Sequence, residues 1–177
     1  DKLPFEPDDT IVGLGDSLTD DLQSWFSILS YALDITVPEA NFTFVNSGIS
    51  YDTSTDAVRR LNRDLVNHEP DWVIVALGTF DALRMNLTPD RTLVPLAEYW
   101  ENTNAIEDVV AELTDNPIIW ITPPPVLSEM LDDFRLFDFN VYNEDLLKYR
   151  EILTGKQGYI VDPRGKRMGE DEPEAWN

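Results

Sequence analysis

The chain has 177 residues, 42% of them hydrophobic, and its 34 acidic against 13 basic side chains give a formal charge of −21. That length supports one core burying roughly 70% of the unfolded chain's surface, while the charge repels phosphate backbones and anionic membrane surfaces and sets nucleic acid aside as a partner. There is no cysteine, hence no disulfide and no thiolate metal site, and no apolar stretch approaches the ~20 residues of a membrane span.

Acidic pairs such as Asp8-Asp9, Asp20-Asp21 and Asp132-Asp133 are spread along the chain and continue into Glu170-Asp171-Glu172. This pattern reads as a solvated surface. It suits a salty medium, and solubility alone accounts for it as well.

In chain order, the first element is the apolar run Thr10 to Leu14, followed by Gly15-Asp16-Ser17-Leu18-Thr19-Asp20. Leu22, Trp25, Phe26, Leu29 and Leu33 then fall at three- and four-residue spacing, which predicts a core-facing helix over Thr19 to Leu33. Ser17 therefore sits on a tight turn between strand and helix. Its hydroxyl projects from the strand end, and the helix N-terminus offers backbone N–H groups to a developing anion. Those are two parts of an acyl-transfer site.

A second strand, Thr43 to Asn46, runs into Asn46-Ser47-Gly48. A helix follows from Ser54 to Asn67, with Ala57, Val58, Leu61 and Leu65 inward and Arg59, Arg60 and Arg63 on a solvated face. Pro70 closes it. The third strand, Trp72 to Leu77, ends at Gly78-Thr79-Phe80-Asp81. Ala97 to Leu113 then reads as a helix burying Trp100, Ile106, Val109, Val110 and Leu113.

The fourth strand, Ile118 to Thr122, contains the core residue Trp120 and leads into Pro123-Pro124-Pro125, a stiff loop that can continue neither strand nor helix. A last helix from Val141 to Leu153 buries Leu146, Leu147 and either Tyr149 or Ile152, and Tyr159 to Asp162 forms the fifth strand. No repeat or linker interrupts this order, so one domain over residues 1–177 is expected.

The strands are continuously apolar, which predicts a parallel sheet covered by helices on both faces. Ligands of such sheets bind beyond the carboxyl ends of the strands. The Ser17 turn, Asn46-Ser47-Gly48, Gly78-Thr79-Phe80-Asp81 and the proline loop all fall there.

His68 is the sole imidazole. It precedes the third strand, at the opposite end of the sheet from Ser17, and reads as a surface residue near a helix end. Asp16 and Asp81 could act as a weak base or bind a hard cation, yet capping or loop-fixing is the commoner role of such carboxylates. Nothing in the sequence implies a cofactor or metal.

Gly15-Asp16-Ser17-Leu18, Asn46-Ser47-Gly48 and the Ile121-Thr122-Pro123-Pro124-Pro125 loop together resemble the GDSL or SGNH hydrolases, a family of serine esterases, lipases and acylhydrolases. The resemblance covers most of the chain and implies a flavodoxin-like three-layer α/β/α sandwich with a five-stranded parallel sheet. It also implies that Ser17 is the nucleophile and that the Ser17 and Gly48 N–H groups line the oxyanion hole.

The family's third block is Gly-x-Asn-Asp, whose asparagine is a further oxyanion donor. Here Phe80 stands in that place, and a phenyl ring cannot donate. Losing one such donor costs about 3–4 kcal/mol of transition-state stabilisation, or about 10² to 10³ in rate. Reduced activity is expected unless another group, such as Thr79, completes the hole.

The family's base and its orienting carboxylate come from an Asp-x-x-His block beyond the last strand. After Asp162 this chain runs through Pro163-Arg164-Gly165-Lys166 to Glu174-Ala175-Trp176-Asn177, with neither a histidine nor a final helix. The resemblance therefore predicts that the natural protein continues past Asn177. The expected activity is hydrolysis of a small-molecule ester through an acyl-enzyme on Ser17, and the alternative is a non-catalytic domain binding an acyl or carbohydrate ligand. Phe80, Leu83, Met85 and the Pro124 to Leu127 loop are expected to form apolar walls suited to a short acyl or aryl ester.

Overall fold

The computed structural model describes residues 3–126 and 138–163. Its strands are β1 (Thr10–Gly15), β2 (Thr43–Gly48), β3 (Trp72–Ala76), β4 (Arg84–Met85), β5 (Ile119–Ile121), β6 (Phe139–Asn140) and β7 (Tyr159–Val161). The helices are α1 (Ser17–Asp20), α2 (Trp25–Thr36), α3 (Ser54–Arg59), α4 (Leu61–Asp64), α5 (Leu96–Leu113) and α6 (Asn143–Thr154), with 3₁₀ turns at Pro38–Ala40 and Val66–His68. Among the described residues no helix is long and apolar enough to cross a membrane.

Five strands pair in parallel in the order β2-β1-β3-β5-β7. This is the flavodoxin-like order, in which the winding reverses between β1 and β3. Register sets Gly15 beside both Gly48 and Ala76, and Ala76 beside Ile121. The carboxyl ends of the four strands are therefore level, and the loops leaving them converge.

Alternation along each strand separates two buried faces. Val12, Leu14, Val73, Val75 and Trp120 point to the face packed by α3 to α6, through Ala57, Leu61, Tyr99, Ile106, Leu146 and Tyr149. Ile11, Trp72, Ile74 and Ile119 point to the other face, where Phe26 of α2 covers them. With about 1.5–3 kcal/mol gained per fully buried large apolar side chain, both faces favour β-branched and aromatic residues, which is why the strands read as unbroken apolar runs.

Several sequence expectations are corrected. The helix expected over Thr19 to Leu33 is two helices, because Asp21 ends α1 and the Ser24 side chain caps α2 by accepting the Ser27 N–H at 3.1 Å. Leu22 lies in the break and is 91% exposed. On α5 the buried positions are Tyr99, Thr103, Ile106 and Val110, so Trp100, one residue out of phase, is exposed. Leu147 likewise faces outward, beside the buried Leu146.

The helix expected over Ser54 to Asn67 breaks at Arg60, which leaves helical geometry and is buried. Leu83 and Met85 do not wall the serine: Leu83 is buried in the main core, and Met85 pairs with Phe139 in the β4–β6 ribbon. Leu127 and the stretch 164–177 lie outside the described residues.

Candidate active site

Ser17 is the first residue of α1, two residues beyond the end of β1. Its helix starts there because Asp16 is in extended geometry and accepts the Leu18 N–H at 2.9 Å. Burial pushes the Asp16 carboxyl up to about 7, against the pull of that backbone hydrogen bond. Thr19, buried in the same turn, accepts the Trp25 indole N–H at 3.0 Å and ties α2 to the serine turn.

The N–H that meets the serine hydroxyl comes from Tyr51, which donates to Ser17 Oγ at 2.8 Å. Gly48 N–H is donated instead to the Asn46 side-chain oxygen at 2.9 Å. What requires glycine at 48 is clearance, since a Cβ there would lie 2.5 Å from the Asp20 nitrogen of α1. Tyr51 has φ +69°, a left-handed conformation that costs a residue with a side chain roughly 1–2 kcal/mol. The Ser17 hydroxyl is thus met by the Tyr51 N–H.

That strained loop is held from below by Arg60. Its guanidinium donates to Asp52 at 2.6 Å, Asp64 at 2.7 Å, Ser47 O at 2.7 Å and Gly15 O at 2.9 Å. One buried cation therefore clamps the ends of β1 and β2 and the residue after Tyr51. Burial raises the Asp52 carboxyl even so, whereas hydrogen bonds from Arg63 and then Arg60 lower Asp64. Arg60 is not on the solvated face expected for it, because the helix breaks there and its side chain turns into the same buried side as Ala57. The sequence signal was Asp64 four residues further along the same stripe.

Asp81 is fully buried and accepts from the Ser54 N–H at 3.0 Å and from the Ser54 hydroxyl, which Asn102 also contacts. It fixes the start of α3, and burial pushes it up to about 6. Gly78, at φ +121° against Tyr99 and Pro123, turns the chain after β3 so that Thr79 and Phe80 follow at the sheet end. Phe80 packs its ring edge-to-face with Tyr51, centroids 5.6 Å apart. His68 is exposed in the turn before β3, at the amino end of the sheet.

A cleft of about 1000 Å³ opens beside Ser17. Asp16, Thr79, Thr122, Pro123 and Pro124 line it near the serine, and Trp25, Ile74, Ile119 and Ile121 carry its apolar wall down the sheet face. The structure thus brings together Ser17, Asp16, Thr79 and the proline loop.

The GDSL-like lipase/acylhydrolase family model matches residues 14–173. The chain belongs to this family. Its Gly15-Asp16-Ser17-Leu18 block lies inside that match. Over 97 residues it is 35% identical to thioesterase 1/protease 1/lysophospholipase L1 of Escherichia coli K12, a match covering 55% of this chain and 46% of that protein. The chain thus spans about half the length of the curated relative.

Among solved structures, a catalytic mutant of an acetylxylan esterase from Geobacillus stearothermophilus superposes with TM-score 0.69 at 20% identity, covering 90% of this chain and 78% of that one. The lipase/acylhydrolase of Enterococcus faecalis gives 0.67 at 24% identity, covering 93% and 82%. An α/β hydrolase from the Lake Arreo metagenome gives 0.67 at 22%, covering 85% and 73%. These likenesses bear on the fold, a GDSL-type α/β sandwich.

Proposed function

We propose that this GDSL-family chain is a serine ester hydrolase acting through an acyl-enzyme on Ser17. The observation that carries the reading is the Ser17 hydroxyl at the head of an apolar cleft, with the Tyr51 N–H aimed at it. Ser17 Oγ attacks the ester carbonyl carbon, and charge moves onto the carbonyl oxygen. The backbone N–H groups of Ser17 and Gly48 stabilise that oxygen until the alcohol leaves, while the Tyr51 N–H holds the Ser17 hydroxyl before attack. Water then attacks the acyl-enzyme, releasing the acid and restoring Ser17.

The relatives' names cover a thioesterase, a lysophospholipase and an acetylxylan esterase. What these have in common is transfer of an acyl group to water, and the same chemistry is proposed here for a small neutral ester. The charge of −21 disfavours an anionic one.

Two features make the chain as given a slow catalyst. Phe80 offers no donor, leaving Thr79 as the side chain beside it with a hydroxyl. The only imidazole, His68, is at the far end of the sheet, so the Ser17 proton passes to solvent or to an added base. The test is hydrolysis of p-nitrophenyl acetate with and without added imidazole, by this chain and by Ser17→Ala. An imidazole-stimulated rate that vanishes with Ser17→Ala is expected. Equal rates from the two proteins would overturn the proposal in favour of an acyl- or carbohydrate-binding domain.

A further inference from the structure

Residues 49 to 52 follow β2 and are tied one by one to β1, α1 and Arg60. The Ile49 N–H donates to Gly15 O at 3.1 Å, Ser50 donates to the Asp20 side chain, the Tyr51 N–H donates to Ser17 Oγ at 2.8 Å, and the Asp52 carboxylate accepts from Arg60 at 2.6 Å. Asp20 stands three residues after Ser17 on the single turn of α1, so the two side chains share one side of it. One carboxylate oxygen of Asp20, Oδ2, accepts both the Ser50 N–H at 3.2 Å and the Ser50 hydroxyl at 2.6 Å. Ser17, Asp20, Ser50 and Tyr51 thereby close a ring of two chain segments joined by hydrogen bonds at both ends.

The N–H that meets the nucleophile belongs to the peptide plane between Ser50 and Tyr51, and that plane turns with ψ of Ser50 and φ of Tyr51. With Tyr51 at φ +69°, the loop left to itself gains by relaxing out of left-handed geometry and swinging this N–H away. Arg60 restrains the loop beyond Tyr51, through Asp52. On the near side, Asp20 holds Ser50. A carboxylate acceptor makes a hydrogen bond roughly twice as strong as a neutral one, and one oxygen serving both donors of Ser50 leaves that residue little room to rotate. Asp21, next along the chain, is used differently, since it accepts the Gln23 N–H at 2.8 Å. The Asp20-Asp21 pair is therefore more than solvated charge.

We propose that Asp20 is a positioning residue for Ser17: through Ser50 it holds the Tyr51 N–H on the serine oxygen and so fixes the hydroxyl for attack. The inference rests on the ester-hydrolase reading and adds to it a residue that acts through two others. A serine hydroxyl free to turn among its staggered positions points away from the ester carbonyl for part of the time, and a held one does not. Asp20 is not among the described residues that line the cleft. Its effect therefore falls on the rate of acyl transfer and leaves ester binding as it was.

The test pairs amide hydrogen exchange, followed residue by residue by NMR, with p-nitrophenol release as p-nitrophenyl acetate acylates the protein in the presence of imidazole. Asp20 and Ser50 are both exposed, so their variants leave the core intact. In Asp20→Ala the Tyr51 amide should exchange about 10-fold faster while the Val12 and Val75 amides of the sheet keep their rates. The maximal acylation rate should fall about 10-fold at an unchanged half-saturating ester concentration. Asp20→Asn keeps an oxygen acceptor and should bring both readouts to within about threefold of the parent, and Ser50→Ala, which keeps the N–H and loses the hydroxyl, should fall between. Unchanged Tyr51 exchange or unchanged acylation in Asp20→Ala, or a loss that Asp20→Asn does not recover, would overturn the proposal. A parent chain that is not acylated, with Tyr51 exchange still quickened by Asp20→Ala, would uphold the grip of Asp20 and count against the ester-hydrolase reading alone.

Discussion

Replacing Arg60 with methionine should destabilise the protein by about 4 kcal/mol. The side chain is 9% exposed and donates to two carboxylates and two strand-end carbonyls, at 2.6 to 2.9 Å. Methionine fills most of the stem volume, so the loss is mainly electrostatic. Asp64 retains Arg63, but Asp52 and the carbonyls of Gly15 and Ser47 lose this donor. Breaking a buried pair costs about 3–5 kcal/mol, and each buried acceptor left unsatisfied about 1–3 kcal/mol, with relaxation and entering water offsetting part of the sum.

For a chain of this size 4 kcal/mol corresponds to about 8–16 °C in Tm. Arg60→Lys should fall between, because a lysine has three donors and no planar fork with which to serve four acceptors. Urea unfolding followed by tryptophan fluorescence measures both variants. A loss below about 1 kcal/mol for Arg60→Met, the value of an exposed ion pair, would refute the clamp.

Asp16→Asn should alter the pH dependence of stability. The Asp16 carboxyl is raised to about 7 from 3.8, so the folded state holds a proton that the unfolded state has lost, and parent stability falls as pH rises between those values. Asparagine keeps the acceptor for Leu18, and the variant should therefore gain on the parent by about 2–4 kcal/mol between pH 4 and 8; parallel stability curves over that range would count against it. Gly48→Ala forces a Cβ to within 2.5 Å of the α1 backbone, and overpacking of this kind should cost about 1–3 kcal/mol and slow acylation of Ser17; unchanged thermal melting and acylation would argue against the clearance role. His68→Ala should leave any Ser17-dependent hydrolysis within about twofold of the parent, and an abolished rate would contradict its place at the far end of the sheet.

The sheet was legible because both of its faces are buried, so each strand announces itself as a run such as Trp72 to Leu77 without any need for alternation. The loops at the strand ends were legible for the same reason, since Ser17, Thr79 and the prolines follow those runs directly. Helix continuity was not: Asp21 and Ser24 satisfy local backbone groups with their own side chains, and a periodicity count that includes Leu22 cannot register two caps in succession. Arg60 was missed because arginine was read by its charge and not by its place on the Ala57 stripe.

That the Tyr51 N–H meets the Ser17 hydroxyl was beyond the sequence. Gly48 is a natural choice for a close approach, and it does make one, but to α1. The left-handed turn falls three residues later, on a tyrosine whose side chain gives no hint of φ +69°. The β4–β6 ribbon escaped notice because two-residue strands carry too few positions to show a pattern.

The central claim is that Ser17 takes up an acyl group, and intact-mass spectrometry tests it without requiring fast turnover. Incubation with p-nitrophenyl acetate and imidazole should add one acetyl group to the protein, on the peptide containing Gly15-Asp16-Ser17, and Ser17→Ala should abolish it. An unmodified parent protein, or equal acetylation of parent and variant, would contradict the account.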